Sequence, residues 1–173
     1  MRFQGICYRA HDPQWAYLPL SGEGAALRGG RFNPKGTPAL YLALTLETAI
    51  LEANQGFAHK IEPCLLVAYE VECQHIADLR TEETRKPLNV SLADMSCPWA
   101  LDVAQRREPA SWRVVNDLIG GGYHGALVPS FAQAARSHHQ NLVLWQWGAK
   151  LPNKVEIIDP NGRLPKDQSS WKR

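Results

Sequence analysis

Thirteen glycines and twelve prolines are spread through all 173 residues. Proline withholds a backbone donor, and glycine loses the most freedom when fixed in a helix or strand. Punctuation on this scale divides the chain into many short elements joined by turns. Nowhere do strands alternate regularly with long helices. A doubly wound parallel sheet is therefore disfavoured, and a mixed or antiparallel α+β domain is expected. The length suits one domain with a substantial core. Apolar residues at 45% and charged residues at 21% exclude a disordered chain. A formal charge of +2 argues against direct nucleic-acid binding. No apolar run nears the roughly 18 residues of a membrane span, and MRFQGICYRAHD is too polar for a secretory signal. Cys7, Cys64, Cys73 and Cys97 form no C-x-x-C pair. They read as reduced thiols of a cytoplasmic protein rather than as zinc ligands.

Residues 6–9 (ICYR) read as a first strand, and 18–38 as a long glycine-rich loop of the kind that usually carries function. Residues 39–44 (ALYLAL) alternate with a period of two, which places Leu40, Leu42 and Leu44 on a core face and Tyr41 between two alanines on the other. Thr45 is suited to cap a following helix, with Leu46, Ala49, Ile50 and Ala53 as its buried stripe. Glu52 then falls about 110° from the stripe's centre, at roughly 100° per residue. Asn54-Gln55-Gly56 end this helix.

Further strands are expected at 64–71, 126–129, 141–147 and 155–158, with loop over 74–97. Helices are expected at 98–106 and from Pro109, the latter with Trp112, Val115, Leu118 and Ile119 as its stripe and Gly120-Gly121-Gly122 as its stop. Residues 131–138 suit a helical turn, and Asp159-Pro160-Asn161-Gly162 a tight turn. Trp145 and Trp147 fall on one strand face and read as core. The tail from 166 is polar apart from Trp171.

Candidate chemistry gathers around Gly29-Gly30-Arg31-Phe32-Asn33-Pro34-Lys35-Gly36, which is neither a P-loop nor a G-x-G-x-x-G turn. Glycines let backbone approach a ligand, and arginine offers a forked donor to phosphate. A surface turn with a solvated arginine would look the same. A loop arginine (Arg31), a strand tyrosine (Tyr41) and a helix glutamate (Glu52) can converge when the strand runs straight into the helix. Ser130 either donates into a cleft or N-caps a helix over 131–138. Arg9 is a second phosphate ligand or a surface charge. Asn141 orients a substrate or closes a turn. His138 and His139, being adjacent, cannot form an i, i+4 metal pair, and no metal site is expected. His124 lies in a glycine-rich turn from which it could approach a site, though no histidine is expected to be catalytic. VPSFA around Ser130 is not a nucleophile elbow.

Taken together, YRA (8–10), GGRFNPKGTPALYLALTLETAILE (29–52), GALVPS (125–130), NLVLW (141–145) and IIDPNGRLP (157–165) resemble the RES domain family, named for its Arg, Glu and Ser positions. The resemblance places a RES domain at 1–165 and a polar tail at 166–173. It puts the family's catalytic positions on Arg31, Tyr41, Glu52 and Ser130, and further NAD-binding positions on Arg9 and Asn141. It implies an ADP-ribosyltransferase-like single domain with a split, mixed or antiparallel sheet and short flanking helices. NAD is then a substrate, and no cofactor is required.

The activity so implied is that of a toxin in a bacterial toxin–antitoxin pair. It would deplete NAD by cleaving the nicotinamide–ribose bond, with water or inorganic phosphate as acceptor. The implied partner is an Xre-type helix-turn-helix antitoxin, with a homodimer also open. Two alternatives stand beside it: an ADP-ribosyltransferase acting on a protein, and a non-catalytic partner-binding module.

Overall fold

The apolar runs pair into one seven-stranded sheet. The computed structural model describes residues 1–54 and 62–169. Its strands are β1 (Phe3–His11), β2 (Leu40–Ala43), β3 (Leu65–Cys73), β4 (Ile76–Asp78), β5 (Gly125–Pro129), β6 (Gln140–Leu144) and β7 (Asn153–Ile157). They lie in the order β4-β5-β6-β2-β1-β3-β7, antiparallel except for the β4–β5 pair. The helices are α1 (Glu23–Arg28), α2 (Leu46–Asn54), α3 (Glu82–Arg85), α4 (Leu92–Met95), α5 (Trp99–Ala104) and α6 (Ala110–Gly120). The fold is thus mixed α+β, as the punctuation implies.

Alternation along the strands makes two cores. Leu40, Leu42, Leu142 and Leu144 share one face with Cys7, Val67, Tyr69 and Val155, covered by Leu20, Trp147 and Leu164. Ala126, Val128 and Val143 share the opposite face, covered by Val114, Val115 and Leu118 of α6 and by Met95. Burying each such leucine or valine stabilises the fold by about 1.5–3 kcal/mol.

The sheet is narrowest between β1 and β2. Strand β1 pairs with β3 along its whole length, yet it meets β2 only at Tyr8–Ala43. Among the described residues no further pair joins the two strands, and Tyr8, Arg9, Ala10, Leu42 and Ala43 line a cleft there. This is the split that the resemblance implies, and it positions the cleft described below.

Several expectations need correction. The stretch 18–38 is not all loop, because it holds α1. The stretch 74–97 contains β4, α3 and α4, the two helices being single turns closed by Thr81–Thr84 and Ser91–Asp94 capping boxes. Residues 131–138 form turns and no helix. Trp145 and Trp147 do not share a face: the chain bends after Leu144, sending Trp145 into one core and Trp147 into the other.

The stripe assigned to α2 holds only at Ala49. Leu46 and Ile50 are 48% and 38% exposed, and the buried residues are Thr48 and Ala49. Small side chains let the helix lie close over β1 and β2, and Glu52, one turn beyond Thr48, faces inward with them. Thr45 does cap the helix, its hydroxyl accepting from the Thr48 N–H at 3.1 Å. Gln55, Gly56 and Trp171 lie outside the described residues.

Candidate functional site

The Arg31 turn is built from the glycine pair outward. Gly30 and Asn33 bridge each other's backbone, so Arg31 and Phe32 form the tip of a tight turn. A Cβ on Gly30 would lie 2.6 Å from Asn33 Oδ1 and 2.7 Å from Tyr41 Oη, so only glycine fits. Gly29, at φ 73°, makes the left-handed bend that enters the turn.

Asn33, fully buried, donates from Nδ2 to the Ala25 and Thr37 carbonyls and accepts at Oδ1 from Tyr41. Tyr41 Oη also accepts from the Phe32 N–H. The indole N–H of Trp112 donates to Gly30 O and that of Trp145 to Phe32 O, each at 2.8 Å. A buried polar group without a partner costs about 1–3 kcal/mol, so this network holds the turn in one conformation. Burial pushes the Tyr41 phenol upward, which keeps it neutral. Tyr41 therefore serves the turn through its hydroxyl, and its ring lines the wall of the cleft.

Arg31 leaves the turn with Nη1 bonded to Met95 O at 2.9 Å and Cys97 O at 2.7 Å, and its guanidinium lies 4.8 Å from the centre of the Phe131 ring. Burial pulls its pKa down, while Cys97, Glu52 and Tyr41 act to raise it. The three residues read along one strand and helix thus meet in one cleft of about 910 Å³.

Glu52 enters that cleft from α2. Its Oε1 accepts from Ser130 Oγ and from Asn141 Nδ2, both at 2.6 Å. Together the two bonds fix the orientation of the side chain. Ser130 follows the end of β5 and Asn141 lies in β6, so the sheet carries both donors. The helix cap also expected of Ser130 is not formed, since 131–138 hold no helix; its Oγ instead accepts from the Ala132 N–H within a local turn.

Arg9 lines the cleft at the split, and its Nη1 is buried without a hydrogen-bond partner among the described residues. Burial pulls its pKa down, opposed by Tyr69. A buried guanidinium nitrogen left unpaired is costly unless an anion meets it. The cleft therefore places a held carboxylate beside two guanidinium groups; Arg9, Arg31, Tyr41, Glu52 and Asn141 line it, and Ser130 is joined to it through Glu52. Asn33, Trp112, Trp145 and Phe131 are the additions that sequence reading missed. Only their place in the GGRFNP run and in apolar stripes marked them at all.

His124 does not approach this cleft. It pairs with Asn153 at 2.9 Å and stacks edge-on with His75. Outside the cleft, Glu47, His138 and His139 bring ligand atoms within 4.8 Å of one another. His139 Nδ1 accepts the Arg136 N–H at 2.8 Å. In the neutral ring Nε2 then carries the hydrogen and has no lone pair for a cation. A smaller hollow of about 410 Å³ is lined by Tyr17, Leu18–Glu23 and Ile157, away from the residues above.

The RES domain family model matches residues 6–167. A chain of the crystal structure of the M. tuberculosis MbcT–MbcA toxin–antitoxin complex is similar over 92% of this chain and 84% of that one, at 20% identity and a TM-score of 0.58. That likeness concerns the fold. No curated protein matches the sequence.

Proposed function

The chain belongs to the RES domain family, and from that premise we propose that it is the toxin of a toxin–antitoxin pair that cleaves the nicotinamide–ribose bond of NAD. The observation that carries this reading is Glu52, a carboxylate held by Ser130 and Asn141 in the cleft that Arg31 and Arg9 also line.

The chemistry suits one carboxylate. Nicotinamide leaves a cationic pyridinium as a neutral molecule, so no general acid is needed. Ordinary glycosides, by contrast, generally take two carboxylates. Charge develops on the ribose as the bond breaks, and a fixed anion beside it lowers the barrier. Ser130 and Asn141 hold that anion in place. Arg31, with Arg9, takes the pyrophosphate through charge-assisted bonds. The Arg31 network keeps this guanidinium in position before substrate arrives, which spares reorganisation.

The proposed partner is an Xre-type antitoxin that covers the cleft. Among the described residues no helix is long and apolar enough to cross a membrane. Incubating the purified chain with NAD labelled in the ADP-ribose half tests the proposal. Free nicotinamide with soluble ADP-ribose, or its phosphorylated form when phosphate is supplied, supports NAD depletion. Label carried onto protein supports transfer. Intact NAD contradicts both and favours a binding module.

A further inference from the structure

Aromatic side chains of the site differ in what they have left to offer. Trp112 and Trp145 each donate their indole N–H to a backbone carbonyl of the Arg31 turn. Phe131 has its face taken by Arg31, and Tyr41 has its hydroxyl committed. Trp99 stands apart. It lines the cleft, is only part buried, and its indole N–H meets no acceptor among the described residues. It also enters no ring–ring or cation–π contact among the described residues, so its face is open to a ligand.

Its position is tied to Arg31. The Trp99 backbone N–H donates to Cys97 O at 2.8 Å, and Arg31 Nη1 donates to the same oxygen at 2.7 Å. Tyr8, the other uncommitted ring in the lining, sits elsewhere. It shares a cross-strand row with Ala43 and Asn141, which holds Glu52. At about 4.8 Å per strand, Tyr8 lies roughly 10 Å from Asn141 along the sheet. One free ring thus belongs to the strand row that leads to Glu52's partner, and the other to the start of α5, just past the Met95 and Cys97 carbonyls that anchor Arg31. In a dinucleotide the pyrophosphate separates the two bases in the same way.

We infer that Trp99 is the stacking platform for the adenine ring, the base remote from the bond that breaks. This rests on the reading of the cleft as an NAD site. Stacking of a base on an aromatic side chain is a sequence-tolerant contact with a π-face. Its loss would weaken only ligands that carry the adenosine half.

The test is calorimetric binding of ADP-ribose and of nicotinamide mononucleotide in the Glu52→Gln background, so that neither ligand is consumed. Trp99→Ala is expected to weaken ADP-ribose about tenfold while leaving nicotinamide mononucleotide within about twofold, and Trp99→Phe to restore most of the difference. Melting temperature and circular dichroism confirm that each variant is folded. Equal losses for both ligands, or undiminished ADP-ribose binding in Trp99→Ala, would overturn the inference alone. Binding of neither ligand by the parent protein would overturn the NAD reading with it.

Discussion

Tyr41 Oη donates to Asn33 Oδ1 at 2.7 Å and accepts from the Phe32 N–H at 3.0 Å, so a single hydroxyl closes the turn that presents Arg31. Tyr41→Phe strands a buried acceptor and a buried donor, at a cost of about 1–3 kcal/mol each. We expect a melting temperature several degrees lower, together with weaker NAD turnover as Arg31 loses its fixed position. Thermal denaturation and steady-state kinetics check this. An unchanged melting temperature would mean that the hydroxyl does not support the turn. Because burial holds the phenol neutral, Tyr41 should add no ionisation to the pH–rate profile below about pH 10.

Gly30→Ala probes the same turn by space rather than by hydrogen bonding. The added methyl would sit 2.6 Å from Asn33 Oδ1 and 2.7 Å from Tyr41 Oη. The turn must shift, and NAD cleavage should fall about tenfold or more while secondary structure persists. Wild-type kinetics in Gly30→Ala would show that the position of Arg31 is not critical.

His11 makes stability depend on pH. Its ring is buried, with Nε2 2.6 Å from Tyr69 Oη, and its pKa is pulled from 6.5 to about 4, first by burial and then by Arg9. Below pH 6.5 the unfolded chain takes up a proton that the native state refuses until about pH 4. Stability should therefore fall as pH drops through that window and level off beneath it, by up to about 3 kcal/mol. His11→Gln stays neutral and should lose less between pH 7 and 4.5. Parallel urea melts of the two proteins at both pH values decide; identical losses would refute the assignment.

Cysteine reactivity follows burial. Cys7 and Cys73 are fully buried, and burial pushes each thiol up to about 12, whereas Cys64 is exposed. Alkylation of the native protein at pH 8, read by peptide mass spectrometry, should label Cys64 first and spare Cys7 and Cys73 until denaturant is added. Early labelling of either buried thiol would contradict the core described here.

Much of the site was legible along the chain because β2 runs directly into α2. Arg31, Tyr41 and Glu52 therefore lie within one stretch, and the family resemblance assigned them roles that periodicity alone left open. Ser130 and Asn141 were legible as ends of strands flanking one connection. Asn33 was not, since its partners Ala25 O and Thr37 O are backbone groups that no side-chain pattern encodes. Trp112 and Trp145 read as ordinary core because spacing marks a buried ring but not where its N–H points. The α2 stripe failed for a related reason. Helical spacing groups Leu46 with Ile50, yet docking against β1 and β2 favours the small Thr48–Ala49 side and leaves the larger residues outside.

The most direct test of the central claim compares wild type with Glu52→Gln in NAD cleavage. The substituted amide keeps the shape of the carboxylate and can still accept from Ser130 and Asn141, but it carries no charge. Losing one preorganised electrostatic contact typically costs about 10²–10³ in rate. We expect nicotinamide release to fall by that factor or more, in a protein with the wild-type melting curve and undiminished ADP-ribose binding. A folded Glu52→Gln protein that releases nicotinamide at the wild-type rate would contradict the account.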